Sequence, residues 1–262
     1  KFMDTCTDTF GAAVDIGIGS PTGVVFGYGA KFPAKYQQAL FACDWSYGKL
    51  YAIHLEPKGS TYTGTFEEFA YAQPLPLTDI LINPRDGAMY FATGGRRVQS
   101  GLHRVTYNGK ESTAPVQPNT AGQAERNQRR AFEKFVQQDA PPASPKQLNN
   151  IWQNLGSADR GIRHAARAAL EKQPTKAWVD LVDTEDNLWI KTAAMMALAR
   201  AASADVDKSQ HTRAASAIQN QITQLDYRAI SELQLRLDVL RALTLDRKST
   251  RLNSSHANIS YA

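Results

Sequence analysis

The residues best suited to chemistry stand beside predicted strands in the first hundred positions. Arg96 and Arg97 follow Gly94-Gly95. Guanidinium groups on a glycine-rich loop can grip a carboxylate-bearing cofactor or an anionic substrate through paired hydrogen bonds; the alternative is a surface loop with solvated arginines. Asp79 follows Leu77-Thr78 at the start of a predicted strand. It offers a base or polar contact, against the alternative of a carboxylate that caps a turn. Asp44 and Trp45 end another strand, where the indole either walls the mouth of a channel or ties strands together as a core aromatic. Arg96, Arg97, Asp79 and Asp44 are therefore the candidate cofactor- or substrate-binding residues, and no catalytic residue is designated.

The remaining reactive side chains carry less. His54 and His103 lie mid-strand without paired ligands nearby, so no metal site is expected. His164 is expected to face solvent, and Trp152, Trp178 and Trp189 to pack between helices. No Ser/His/Asp constellation, phosphate-cradling loop or paired-carboxylate spacing stands out. Cys6 and Cys43 fit no CxxC or Cys/His metal spacing. Two unrelated buried thiols are expected, with a disulfide open if the protein is exported.

Composition bounds the class of partner. A hydrophobic content of 42% and a charged content of 21% are ordinary for a globular protein. No apolar run reaches the roughly 18 residues needed to span a bilayer, so no transmembrane segment is expected. The net charge of +5 is scattered, and its one dense run is Arg126-Asn127-Gln128-Arg129-Arg130. Aromatic residues do not interleave with that run as a stacking platform requires. It reads as a solvated helix face, and nucleic acid is not expected as a partner.

The candidate residues must be positioned by strands. From residue 15 to 108, β-rich runs alternate with Gly, Pro and Asp turns, predicting strands over 23–26, 39–44, 49–55, 66–70, 78–82, 88–93 and 101–107. Runs also recur: Thr22 with Thr78, Ala39 with Ala88 and Gly48 with Gly101, at offsets of 56, 49 and 53 residues. That period suits β-propeller blades, and about two would be present. Since two cannot close a ring, a fragment of a longer protein is expected.

Beyond the Pro-rich break at 141–145 the pattern changes. A helix over 121–138 is expected to cross from the last strands, and Ala/Leu-rich helical periodicity follows. The run Ile162–Leu170 aligns with Ile190–Leu198, 28 residues later, and more loosely with Leu235–Leu243. Partner helices are predicted near 146–155, 176–182 and 213–225. Asp159 to Leu170 resembles the second helix of a short HEAT repeat.

Several stretches together carry a wider resemblance: Leu40 to Ala52, Gln73 to Asp79, Asp86 to Phe91 and Gly94 to Leu102. They resemble large exported planctomycete proteins described as haem-binding, membrane-bound dehydrogenase-like. Those join a propeller similar to sugar and sorbosone dehydrogenases to HEAT repeats and a c-type cytochrome domain. The resemblance implies a periplasmic or exported protein that oxidises sugars or related substrates and passes electrons to a cytochrome module. It implies c-type haem and a quinone cofactor for the whole protein, a carbohydrate or other small-molecule substrate for the propeller, and a protein partner on the HEAT surface. This chain has no CxxCH, so no cofactor is expected in the fragment, which would not be catalytically complete alone. The alternative is a non-enzymatic scaffold that binds protein or polysaccharide.

The last 17 residues, 246–262, break the helical period. They resemble a translated sequencing adapter, and without them the charge falls from +5 to +3. The expected fold class is thus multidomain β plus α, a partial β-propeller followed by a short HEAT-like α-solenoid. Its divisions are 1–110 blades, 111–145 crossing helix and linker, 146–245 helical repeats, and 246–262 tail.

Overall fold

Turn chemistry builds the first half of the chain, as seen in a computed structural model that describes residues 11–95, 97–204, 230–233, 235–242 and 244. Strands β1 (Pro21–Phe26), β2 (Leu40–Asp44), β3 (Lys49–Lys58) and β4 (Thr61–Tyr71) form one antiparallel sheet in that order. A short helix, α1 (Ala34–Gln37), lies between β1 and β2. Strands β5 (Leu77–Ile82), β6 (Met89–Gly95) and β7 (Val98–Val105) form a second antiparallel sheet.

Each hairpin has a local cause. Lys58 pairs with Thr61 across a two-residue turn whose Gly59 has φ 54°, the left-handed conformation such turns need. Between β2 and β3, Asp44 Oδ1 accepts the N–H groups of Ser46 (2.9 Å) and Tyr47 (3.3 Å), winding the turn that carries Trp45. Between β5 and β6, Asn83 and Asp86 accept from Arg85 N and Ala88 N in the same way.

The two sheets share one apolar core, in which Phe41, Cys43 and Leu50 meet Leu77, Ile80, Met89 and Phe91. They approach closely at β1 and β5. A Cβ on Gly23 would fall 2.7 Å from the Asp79 Cα, so only glycine allows this approach, and Thr22 Oγ1 donates to Leu77 O (2.9 Å). Buried Gln37 fastens the following extended segment, donating to Ala114 O and accepting from Val116 N.

The second unit begins after Gly122. It comprises α2 (Gln123–Glu133), α3 (Pro145–Asn154), α4 (Arg160–Glu171), the four-residue α5 (Leu181–Thr184) and α6 (Leu188–Ala204), with further helical residues at 235–242. Ser144 and Gln147 form a capping box at α3 with Pro145 in its first turn, and Asp159 caps α4 through Gly161 N and Ile162 N. The α4 stripe Ile162, Ala165, Ala166, Ala169 and Leu170 is buried, as the 3.6-residue period predicts. Helix α6 buries residues from Ile190 to Ala201 around much of its circumference, which makes it the unit's central helix. The buried indoles of Trp152 and Trp178 lie 6.5 Å apart in the same core.

This architecture corrects the expectation of a partial β-propeller and HEAT-like solenoid. The chain is a mixed α/β protein with two small antiparallel sheets and a set of helices. Similar runs recur because both sheets are antiparallel meanders with the same strand-and-turn chemistry, and recurring hairpins do not by themselves make a ring. The second sheet has three strands where a propeller blade has four. In the helical unit, the expected partner helix over 176–182 is replaced by a 3-10 turn at Thr175–Ala177 and the short α5. No regular stack of helix pairs therefore forms among the described residues.

The elements predicted individually fare better, since all seven strands lie where alternation and turns place them. The helix expected over 213–225, the tail over 246–262 and Cys6 lie outside the described residues. Cys43 is a buried free thiol. Two surface assignments also change. Arg126, expected on a solvated face, is only 2% exposed, and His164 is half-buried beside Arg163 and Trp189 in a small cavity of about 30 Å³. Both follow from packing around α4, which sequence spacing does not reveal.

Candidate functional site

The hairpin β6–β7 and the Trp45 turn enclose an open cleft of about 670 Å³ in the sheet-bearing unit. Its lining comprises Trp45, Thr78, Ala92–Gly95 and Ser100–Leu102. The indole of Trp45 is fixed at one edge, because its Nε1 donates to Gly94 O at 2.9 Å. Gly95 lies beneath the ring, where a Cβ would fall 3.0 Å from Trp45 Cζ2. The ring is thus held yet remains 42% exposed, and Leu102 opposite it is 75% exposed.

Hydroxyl groups supply the polar part. Thr78 Oγ1 donates to Ala92 O (3.1 Å), which leaves its lone pairs available. Thr93 Oγ1 lies 3.1 Å from His103 Nε2, and His103 stacks on Phe91 with ring centroids 4.8 Å apart. Gly101 admits this arrangement, since a Cβ there would crowd both His103 and Thr93. No side chain among the described lining residues is charged.

Asp44, Asp79 and Arg97, chosen from the sequence, are not among the residues that line this cleft. Asp44 is 3% exposed, and its Oδ1 accepts from Ser20 N (3.1 Å) as well as Ser46 N and Tyr47 N. Its Oδ2 is buried without a partner. Asp44 thus positions Trp45 and does not present a carboxylate to a ligand. Asp79 is exposed within β5, where its Oδ1 accepts from Ile80 N (2.8 Å) and sits against Gly23, so it caps no turn. Arg97 is exposed at the β6–β7 turn with φ 62°, and it makes no ion pair among the described residues. Arg96 lies outside the described residues. Nearby Cys43 is an inert thiol, pushed up to about 11 by burial and by the Asp79 carboxylate.

A second constellation escaped the sequence reading. His54 Nε2 lies 3.0 Å from Glu67 Oε1, and Lys35 Nζ approaches the same oxygen at 3.2 Å. These groups stand in a cleft of about 570 Å³ with Thr65, Gln38 and Asn119. The hydrogen bond from His54, aided by Lys35, holds the Glu67 carboxyl below the usual glutamate range. His54 pairs with Thr65 across β3–β4, and Glu67 lies two residues further on the same face. Only the strand register brings the two together.

The cofactors implied by the resemblance find little here. The chain has no CxxCH for haem, and the described lining of the cleft itself holds no cation to meet a carboxylate-bearing quinone. Among the described residues, no three His, Cys, Asp or Glu side chains gather as a metal set. No helix among them is long and apolar enough to cross a membrane. Compared with known proteins, the chain matches no family, no curated protein and no solved structure.

Proposed function

We propose that the sheet-bearing unit is a non-catalytic carbohydrate-binding module, with the Trp45 cleft as its ligand site. The observation that carries this reading is the lining itself: a fixed, half-exposed indole surrounded by threonine and serine hydroxyls and glycine backbone, with no titratable side chain among the described lining residues. An aromatic face offers apolar area to the C–H face of a sugar ring, while hydroxyls and backbone amides answer its O–H groups. Oxidation of a sugar hydroxyl needs a proton acceptor at the reacting oxygen, and the described lining residues supply none. The resemblance to sugar-dehydrogenase-like proteins supports the same ligand class, sugars and related polyols, without requiring chemistry in this unit.

The test is binding of the full chain to a panel of soluble polysaccharides by affinity electrophoresis. Retardation by at least one glycan is expected, with Trp45→Ala weakening it by about tenfold or more and Trp45→Phe by less. If no glycan retards the chain, or if Trp45→Ala binds as well as the native protein, the reading fails.

A further inference from the structure

The cleft resting on that reading has one neighbour that its hydroxyl chemistry does not explain. Gly95 pairs with Val98, so the β6–β7 hairpin turns through two residues, of which Arg97 is the second. Such turns favour Gly, Asn or Asp where φ is positive. Arg97 nevertheless adopts φ 62°, a conformation that costs a residue with a Cβ about 1 kcal/mol or more. No internal contact explains it, because its side chain is exposed and makes no hydrogen bond or ion pair among the described residues. A strained residue held at the end of the hairpin that lines a cleft is grounds for a functional hypothesis.

We infer that the cleft takes an acidic polysaccharide, with Arg97 pairing with the carboxylate of a uronate unit while Trp45 stacks on a sugar ring. Charge complementarity favours this ligand over a neutral one. The described lining carries no acidic side chain to repel it, and Arg97 pairs with no carboxylate among the described residues. The planar guanidinium fork matches a carboxylate in a way that a lone hydroxyl does not.

The experiment compares the full chain on polygalacturonate and on its methyl ester, which keeps the sugar and removes the charge. The native protein should bind the acid about tenfold more tightly, a difference of one charge-assisted contact, and added salt should narrow the gap. Arg97→Gly removes the guanidinium and relaxes the turn, so it remains folded. It should lower affinity for the acid to that for the ester and leave the ester unchanged. Equal binding of acid and ester by the native protein, or an Arg97→Gly variant that still prefers the acid, overturns the inference while the carbohydrate reading stands. Binding to neither polymer, nor to any neutral glycan, overturns both.

Discussion

Replacing Asp44 separates the two roles that a buried carboxylate can have. Its Oδ1 accepts three backbone N–H groups, from Ser20, Ser46 and Tyr47, and these bonds shape the turn that presents Trp45. A hydrogen bond to a charged group contributes about 1.5–3 kcal/mol when buried. The donors here are partly buried and can recover water in part, so Asp44→Ala should cost about 3 kcal/mol in total. Asp44→Asn keeps an acceptor at the Oδ1 position and replaces the unpartnered anionic Oδ2. It loses charge assistance and leaves an unpartnered neutral amide where the charged oxygen stood, so it should cost about 1 kcal/mol, well short of alanine. Native-state hydrogen exchange of peptides covering residues 40–55 measures this locally, since protection of β2 and β3 reports on the turn joining them. Asp44→Ala should lower protection by about a hundredfold and weaken glycan binding, while Asp44→Asn largely preserves both. If alanine proves as benign as asparagine, the carboxylate does not organise the turn. If asparagine proves as damaging as alanine, its charge acts on something other than these three N–H groups.

Three more perturbations probe the frame around the cleft. Gly23→Ala places a methyl 2.7 Å from the Asp79 backbone, so it should push the sheets apart and cost about 1–3 kcal/mol by overpacking; calorimetry on the full chain reads the loss. Glu67 has a folded-state acidity below its unfolded value, so its contribution is complete above the usual glutamate range near pH ~4.3 and is lost as pH falls through the lower folded value. The urea midpoint of Glu67→Gln should therefore fall below that of the native chain at pH 7 and converge with it in acid. Cys43, with its thiol pushed up to about 11, should resist a thiol-specific reagent at pH 8 in the native state and react once the protein is unfolded in urea.

The strands were legible in the sequence because alternation and turn residues act within a few positions. Asn83, Asp86, Gly59 and Gly48 mark their turns by chemistry that needs no distant partner. How the sheets associate was not legible, because the decisive feature is the space above Gly23, and Asp79 of β5 fills it from far along the chain. The same distinction explains the helical half. Residues 162–170 are amphipathic as expected, whereas 190–198 are helical but buried nearly all round, and periodicity says nothing about the segment between them, where a 3-10 turn stands in for a partner helix. For the site, the sequence favoured charged side chains, yet Asp44 is buried and engaged by backbone N–H groups, and neither it nor Asp79 lines the cleft. Their neighbours Trp45 and Thr78 line the cleft instead. His54 and Glu67, 13 residues apart, meet only through the β3–β4 register.

The central claim is that a glycan contacts Trp45. The chain has four tryptophans, and the others, Trp152, Trp178 and Trp189, belong to the helical unit. Indole N–H signals in a nitrogen-15-labelled sample therefore read the sheet-bearing unit through a single resonance. Titration with polygalacturonate should shift the Trp45 signal, whose N–H bonds Gly94 O at the cleft edge, and leave the other three in place. A Trp45 signal that stays fixed while the polymer binds, or a shift confined to the helical unit's indoles, would contradict the account.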